Sequence, residues 1–95
     1  MEKYIKKYVE DLIHDLYYTY MQEYNIKLDV VVNYDKDKDD LRIFIIDDCH
    51  RTSRVILITK FISVYVLCGG MNVWHEDIDT KVRKEIRNIF KERCH

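Results

Sequence analysis

Two adjacent cysteine–histidine pairs are the residues of this chain best suited to bind a metal ion. Cys49 precedes His50, and Cys94 precedes His95 at the end of the sequence. Together they supply two thiolates and two imidazoles, which is a donor set of tetrahedral zinc sites. Known zinc motifs usually separate paired ligands by two or more residues, whereas these ligands are adjacent. We therefore predict neither a metal nor another cofactor, and zinc binding by these two pairs stays an open alternative.

Alternating aspartates form a second group, in the segment DKDKDD. Asp35, Asp37 and Asp39 have the spacing of calcium ligands, but a calcium-binding helix–loop–helix also requires glycine at the sixth position of its loop and glutamate at the twelfth. Asp40 and Ile46 occupy those positions here. We interpret the segment as a solvated hairpin loop, whose charge discourages aggregation through strand edges.

The elements that must position these residues follow from hydrophobic periodicity. Residues 2–24 predict a helix, because apolar side chains recur three or four positions apart. Residues 26–35 alternate between apolar and mostly polar side chains and predict a half-buried strand. Residues 41–46 predict a second strand that forms a hairpin with the first. A second helix is predicted to begin between Val73 and Thr80, since apolar residues again recur at helical spacing.

The longest apolar run extends from Val55 to Cys68 and is followed by two glycines. Half of its residues are Val, Ile or Thr, which favours a strand with apolar side chains on both faces. A helix capped by Ser53 and ended by Gly69 remains the alternative, because a short apolar run is ambiguous by periodicity alone. The run is too short to span a membrane, and Lys60 lies in its middle.

Together these elements predict one α+β domain over residues 1–95. Its fold is a three-stranded antiparallel β-meander flanked by N- and C-terminal helices, in the order α-β-β-β-α. Both helices most simply cover one face of the sheet. The third strand is then left with an uncovered apolar face and, at fourteen residues, an overhang beyond its neighbours. We predict a symmetric homodimer, joined sheet to sheet or edge to edge, that covers this surface.

This order of elements resembles that of the double-stranded-RNA-binding domain. The resemblance implies basic residues at the start of the second helix and a loop between the first two strands that contacts RNA. The second helix instead opens with Glu76, Asp77 and Asp79, and the loop is DKDKDD. Both positions would repel phosphate, so we do not predict this mode of RNA binding.

The order is also similar to the core of restriction-endonuclease-like nucleases, in which α-β-β-β-α is followed by a further strand. That resemblance implies an acid on the second strand and an acid-x-Lys pattern on the third, which hold a metal ion and a base. Asp39, Asp40 and Lys60 could take these places. Ile58, which cannot bind a metal, stands where the second acid is required, so we predict that the protein is not an enzyme.

Composition and charge favour an interaction protein of the cytoplasm. A net charge of −1 gives no overall field that would attract nucleic acid or an anionic membrane. The N-terminus is charged and amphipathic rather than a signal peptide, and the three cysteines suggest no disulfide framework. The absence of Ala and Pro, with many Ile, Lys, Asp and Tyr residues, resembles short accessory reading frames of crenarchaeal viruses, phages and plasmids. The resemblance has no motif behind it, and it implies a small factor directed at a host component.

We predict a non-enzymatic protein that binds a host protein or a second copy of itself. Six of the eight tyrosines lie in the N-terminal helix. Tyr4, Tyr18 and Met21 fall outside its apolar stripe and are the candidate partner-binding residues, because tyrosine is enriched at interfaces.

The alternative function is nucleic-acid binding through a basic face of the C-terminal helix. Glu85 and Glu92 lie on the same helix and dilute its positive charge, so this function is not favoured. The basic face comprises Lys81, Lys84, Arg87 and Lys91.

Overall fold

The computed structural model describes residues 2–48, 51–63 and 71–93, the last range with side chains at 75–92. Its order of elements confirms the predicted α+β fold. The strands form one antiparallel sheet in the order β1-β2-β3. None of the helices in the described ranges is both long and apolar enough to cross a membrane. The elements are α1 (Glu2–Glu23), β1 (Leu28–Asp35), β2 (Asp40–Asp47), β3 (Thr52–Ile58) and α2 (Met71–Arg93).

Both helices pack on the same face of the sheet, α1 against β1 and α2 against β3. The strands contribute alternate residues to this face, and each helix contributes residues three or four positions apart, as their periodicities require. The resulting core consists largely of Ile, Val and Leu. Its most deeply buried members are Ile5, Val9, Leu41, Ile43, Ile45, Phe61, Ile78, Val82 and Ile86.

Helix α1 ends in a Schellman motif, in which a residue with positive φ reverses the chain. Asn25 has a φ of 53°, and its N–H donates to the carbonyl of Gln22 at 3.3 Å. The Ile26 N–H donates to the carbonyl of Met21 at 2.7 Å. These are the 5→2 and 6→1 hydrogen bonds of the motif. The turn buries Ile26 and directs the chain into β1.

Four residues connect β1 to β2, and Asp39, the last of them, also has a φ of 53°. Asp35, at the end of β1, stabilises this turn, because its Oδ1 accepts hydrogen bonds from the N–H groups of Asp37 at 3.0 Å and Lys38 at 3.3 Å. The aspartates of DKDKDD thus order a hairpin loop, as the sequence predicted.

The run from Val55 to Cys68 is neither one strand nor one helix. Strand β3 ends at Ile58, and residues 61–63 are helical. Lys60, with a φ of 53°, turns the chain between the two, and Phe61 consequently enters the core rather than the opposite face. The predicted fourteen-residue strand and its overhang are therefore wrong, as is a helix beginning at Ser53.

Helix α2 begins at Met71, slightly earlier than the predicted window. The acidic residues predicted at its start therefore lie in its second and third turns. Asp77 forms an ion pair with Lys81 at 3.3 Å, and Asp79 pairs with Arg83. Farther along the helix, Glu92 pairs with Arg54 of β3 and joins α2 to the sheet.

Candidate functional site

The face of the sheet opposite the helices carries a row of apolar residues, and we call it the open face. Val31, Phe44 and Val55 are direct neighbours across the three strands. Val31 is 41% exposed and Val55 is 50% exposed, while Phe44 is half-buried. Leu57 extends the apolar surface on the β3 side. The uncovered apolar face predicted from the third strand is therefore present, although that strand is half the expected length.

Strand β1 lies at the edge of the sheet, with one side paired to β2 and the other side without a neighbouring strand among the described residues. The carbonyl of Lys27 accepts a hydrogen bond from the Asp48 N–H at 3.2 Å. In an antiparallel ladder every second residue bonds to the neighbouring strand. Because Lys27 bonds to this side, the odd-numbered residues of β1 bond to β2. The remaining residues direct their N–H and C=O groups to the free edge. These residues are Leu28, Val30, Val32 and Tyr34.

A groove of about 630 Å³ runs between α1 and this free edge, and we call it the edge groove. Tyr18 and Met21, two of the predicted partner-binding residues, line it together with Val31. The hydroxyl of Tyr18 accepts a hydrogen bond from Gln22 Nε2 at 2.6 Å. Met21 is half-buried and packs against the core. The groove is continuous with the open face, because Val31 belongs to both.

Tyr4, the third predicted residue, lies elsewhere. Its ring centroid is 6.2 Å from that of His75 in α2, and the ring of Tyr8 stacks on the same imidazole at 4.3 Å. Fourteen residues of helix separate Tyr4 from Tyr18, a distance of about 21 Å along the axis. The three candidates therefore do not form one continuous surface.

The basic face of α2 differs from the sequence-based description. Lys81 is engaged with Asp77, whereas Lys84, Arg87 and Lys91 have no acidic partner among the described residues. Of the two glutamates expected to dilute the charge, Glu92 is paired with Arg54 of β3. A hydrogen bond from Arg54 to Glu92, supported by the charge of Glu85, raises the pKa of the Arg54 guanidinium.

Aromatic residues of α1 and α2 converge beside two of these cations, in a pocket of about 340 Å³ that we call the ring-and-cation pocket. The ring of Phe90 lies 5.3 Å from that of Tyr17 and 5.9 Å from that of Tyr20, measured between centroids. Tyr20 is 52% exposed and Tyr24 is 44% exposed. The pocket is lined by Tyr17, Tyr20, Tyr24, Arg87, Phe90 and Lys91.

Asp39 joins the first hairpin loop to the helical turn that follows β3. Its Oδ1 accepts hydrogen bonds from the Tyr34 hydroxyl at 2.6 Å and the Ile62 N–H at 2.9 Å. Its Oδ2 accepts from the N–H of Ser63 at 3.4 Å and from its hydroxyl at 3.5 Å. A carboxylate that receives N–H groups at the start of a helix acts as an N-cap.

These hydrogen bonds change the acidity of both partners. The bond to Asp39 raises the pKa of Tyr34 to about 12. The hydrogen bond from Tyr34, followed by that from the Ile62 N–H, lowers the pKa of Asp39. The carboxylate considered for a nuclease centre thus has a structural role here. Lys60, considered for the same centre, is an exposed residue at a turn.

The other candidate metal ligands do not form a cluster where the structure can be described. In the described ranges, no three His, Cys, Asp or Glu side chains are placed to hold one ion. Cys49, His50, Cys94 and His95 lie outside the described residues, so the zinc alternative stays a prediction from the sequence.

Comparisons with known proteins found no relative. No protein-family model matches the chain, and neither the curated proteins nor the solved structures contain a match. Function must therefore be inferred from the open face, the edge of β1 and the pocket themselves.

Sequence reasoning missed the ring-and-cation pocket. The tyrosines of the N-terminal helix and the bases of the C-terminal helix were both recognised, but as separate surfaces. Phe90 is one of the apolar residues that recur at helical spacing in the second helix, and the sequence does not connect it with either surface. The combination depends on how α1 and α2 pack against each other, which neither helix specifies alone.

Proposed function

We propose that this protein is a non-enzymatic interaction protein that acts as a homodimer, formed by antiparallel pairing of β1 with β1 of a second copy. The observation that supports it best is the free edge of β1. No strand in the described ranges pairs with its alternate N–H and C=O groups, and β1 contains no proline that would prevent pairing. Such an edge is a template for strand addition.

The sequence of β1 is complementary to itself in one register. With Val31 on the two-fold axis, Val30 faces Val32 of the second copy, and Leu28 faces Tyr34. These four residues are the ones whose main-chain groups point to the free edge, so their pairing satisfies the whole row.

The charged residues of the edge support the same register. It places Lys27 opposite Asp35 of the second copy and Asp29 opposite Asn33. Opposite charges at facing positions stabilise a strand pair, whereas like charges destabilise it. This charge complementarity is the reason for assigning the edge to a second copy rather than to an unrelated strand.

Dimerisation would also create the surface that binds a further partner. The apolar row of Val31, Phe44 and Val55 would continue directly into the same row of the second copy. A contiguous exposed apolar strip that extends across two copies is typical of a protein-binding surface. We extend the proposal to a cytoplasmic accessory factor of a virus or mobile element that binds a host protein. Composition and the sparse, odd number of cysteines support this part of the proposal.

Light scattering on a size-exclusion column tests the dimer. We expect about twice the chain mass of 11.7 kDa at micromolar concentration. Val31→Lys should yield a monomer, because it places two like charges opposite each other at the two-fold axis. Its side chain is already exposed, so the fold should tolerate the change.

Val55→Lys is the matched control, since Val55 is similarly exposed on the same face but lies on β3. It should remain dimeric. A wild-type monomer at every concentration would overturn the proposal. Loss of the dimer in both variants would indicate stacking of open faces and would overturn the pairing through β1.

A further inference from the structure

The ring-and-cation pocket combines exposed aromatic rings with positive charge, and none of the described residues that line it is acidic. Arg87 and Lys91 supply the charge, and neither has an acidic partner among the described residues. Two other bases of α2 are neutralised, Lys81 by Asp77 and Arg83 by Asp79. Arg87 and Lys91 therefore place positive charge directly beside the rings.

The neighbouring acids do not cancel this charge. Glu92 is held by Arg54 on the β3 side of α2, and Glu85 contributes to the field around the same guanidinium. Lys84 adds a third cation along the helix that has no acidic partner in the described part of the chain. An anion that approaches the pocket therefore meets positive charge, although the whole chain has a net charge of −1.

We propose that this pocket binds single-stranded nucleic acid by accepting one nucleobase and its phosphate. The base stacks on the exposed rings of Tyr20 and Tyr24, and the phosphate contacts Arg87 and Lys91. Proteins that bind single strands combine aromatic stacking with a positively charged path for the backbone. The pocket volume of about 340 Å³ lies within the range of small-molecule binding sites.

The same chemistry favours a single strand over a duplex. In a duplex the bases are stacked on one another, so their faces are not available to a tyrosine ring. The pocket requires a base that is free to leave its stack. The edge of β1 contributes no residue to the pocket, so this site does not depend on the proposed dimer.

Fluorescence anisotropy of labelled oligouridylate and oligothymidylate of twelve nucleotides tests the proposal. We expect binding at low salt that weakens as salt increases, and much weaker binding of a duplex of the same length. Tyr20→Leu, which keeps an apolar side chain but removes the ring, should lower the affinity at least fivefold. Arg87→Gln should reduce the slope of log affinity against log salt by about 0.7, the value for one phosphate contact on a single strand.

Tyr4→Leu and Lys7→Gln, both on α1, are the controls, because they remove a ring and a charge outside the pocket. Both should bind like the wild type. Uridine monophosphate, as a competitor, distinguishes two sources of the ligand chemistry. If uridine monophosphate, at an equal concentration of nucleotide units, displaces the oligonucleotide completely, the pocket binds free nucleotides and the proposal is overturned. Weak displacement supports binding of a polynucleotide.

Ultraviolet cross-linking to oligothymidylate gives a second readout that requires no variant. Cross-links are expected on α1 and α2 at Tyr20, Tyr24 or Phe90. The proposal is overturned by absence of binding at low salt, by equal losses in pocket and control variants, or by cross-links only at other sites. Equal displacement by polyglutamate, with no effect of Tyr20→Leu, would instead assign the surface to acidic peptides.

Discussion

At the scale of single residues, Asp39 shows how one carboxylate can serve two segments of the chain. It has positive φ at the end of a hairpin loop, a conformation that aspartate tolerates better than most residues. From there it accepts the hydroxyl of Tyr34 and the N–H groups that open the helical turn at residue 61. Sequence analysis recognised an acidic loop but could not locate these donors, because residues 62 and 63 are distant in sequence.

Replacing Asp39 should alter the response of the protein to acid. Because folding lowers the pKa of Asp39, the stability that it adds is complete above its unfolded value of about 3.9 and is lost as the pH falls through the folded value. Asp39→Asn keeps the backbone conformation but removes this titration. We expect the variant to be less stable than the wild type at neutral pH, with the difference shrinking below about pH 4.

Urea unfolding measured between neutral pH and about pH 2 checks this expectation, with unfolding free energies compared at each pH. Asp37→Asn serves as the control, since the Asp37 carboxylate accepts none of these hydrogen bonds. The comparison with wild type matters because the neighbouring carboxyl of Asp29 raises the pKa of Asp48, which changes stability in the opposite direction. A constant difference between Asp39→Asn and wild type across the acid range would contradict the role of this carboxylate.

At the scale of elements, most of the fold was predictable from periodicity. Residues 26–35 alternate cleanly, and β1 occupies nearly all of that range. The failure came at Lys60, where positive φ ends an apolar run that continues without interruption in the sequence. No glycine, asparagine or proline marks this turn, so hydrophobic patterning could not reveal it. The position of the turn is set instead by Asp39 and by burial of Phe61.

The end of α1 offers a test of local conformation at this scale. Asn25 adopts the left-handed conformation required by the Schellman motif. We expect Asn25→Ala to destabilise the protein by about 1 kcal/mol, because alanine lacks the short polar side chain that lets asparagine tolerate the left-handed conformation. Asn25→Gly should be at least as stable as the wild type, since glycine is the usual residue there.

Thermal unfolding followed by circular dichroism measures both changes. Thr19→Ala is the control, because it replaces an exposed residue within α1 and should be neutral or slightly stabilising. If Asn25→Ala and Asn25→Gly were equally stable, the positive φ would not be contributing to the end of the helix.

At the scale of the whole molecule, the uncovered sheet is the feature that a single copy does not explain. Both helices lie on one side of the three-stranded sheet, and on the other side Val31, Val55 and Leu57 are exposed. The proposed pairing of β1 couples folding to association, so stability must depend on protein concentration. A tenfold increase in concentration should stabilise the dimer by about 1.4 kcal/mol and raise its melting temperature.

Melting curves recorded over about a hundredfold range of protein concentration would reveal this dependence. Val31→Lys should abolish it, and Val55→Lys should retain it. Concentration-independent melting of the wild type would show that the folded unit is a single chain under those conditions.

The meander has a consequence for how the chain reaches this structure. Each strand pairs with its neighbour in sequence, and a connection of four residues joins the two strands of each pair. Contacts between sequence neighbours require little loop closure, so a sheet of this kind can form early during folding. The contact of Tyr8 with His75 joins residues 67 positions apart and must wait for both helices to dock. We therefore expect docking of the two helices, rather than pairing of the strands, to limit the rate of folding.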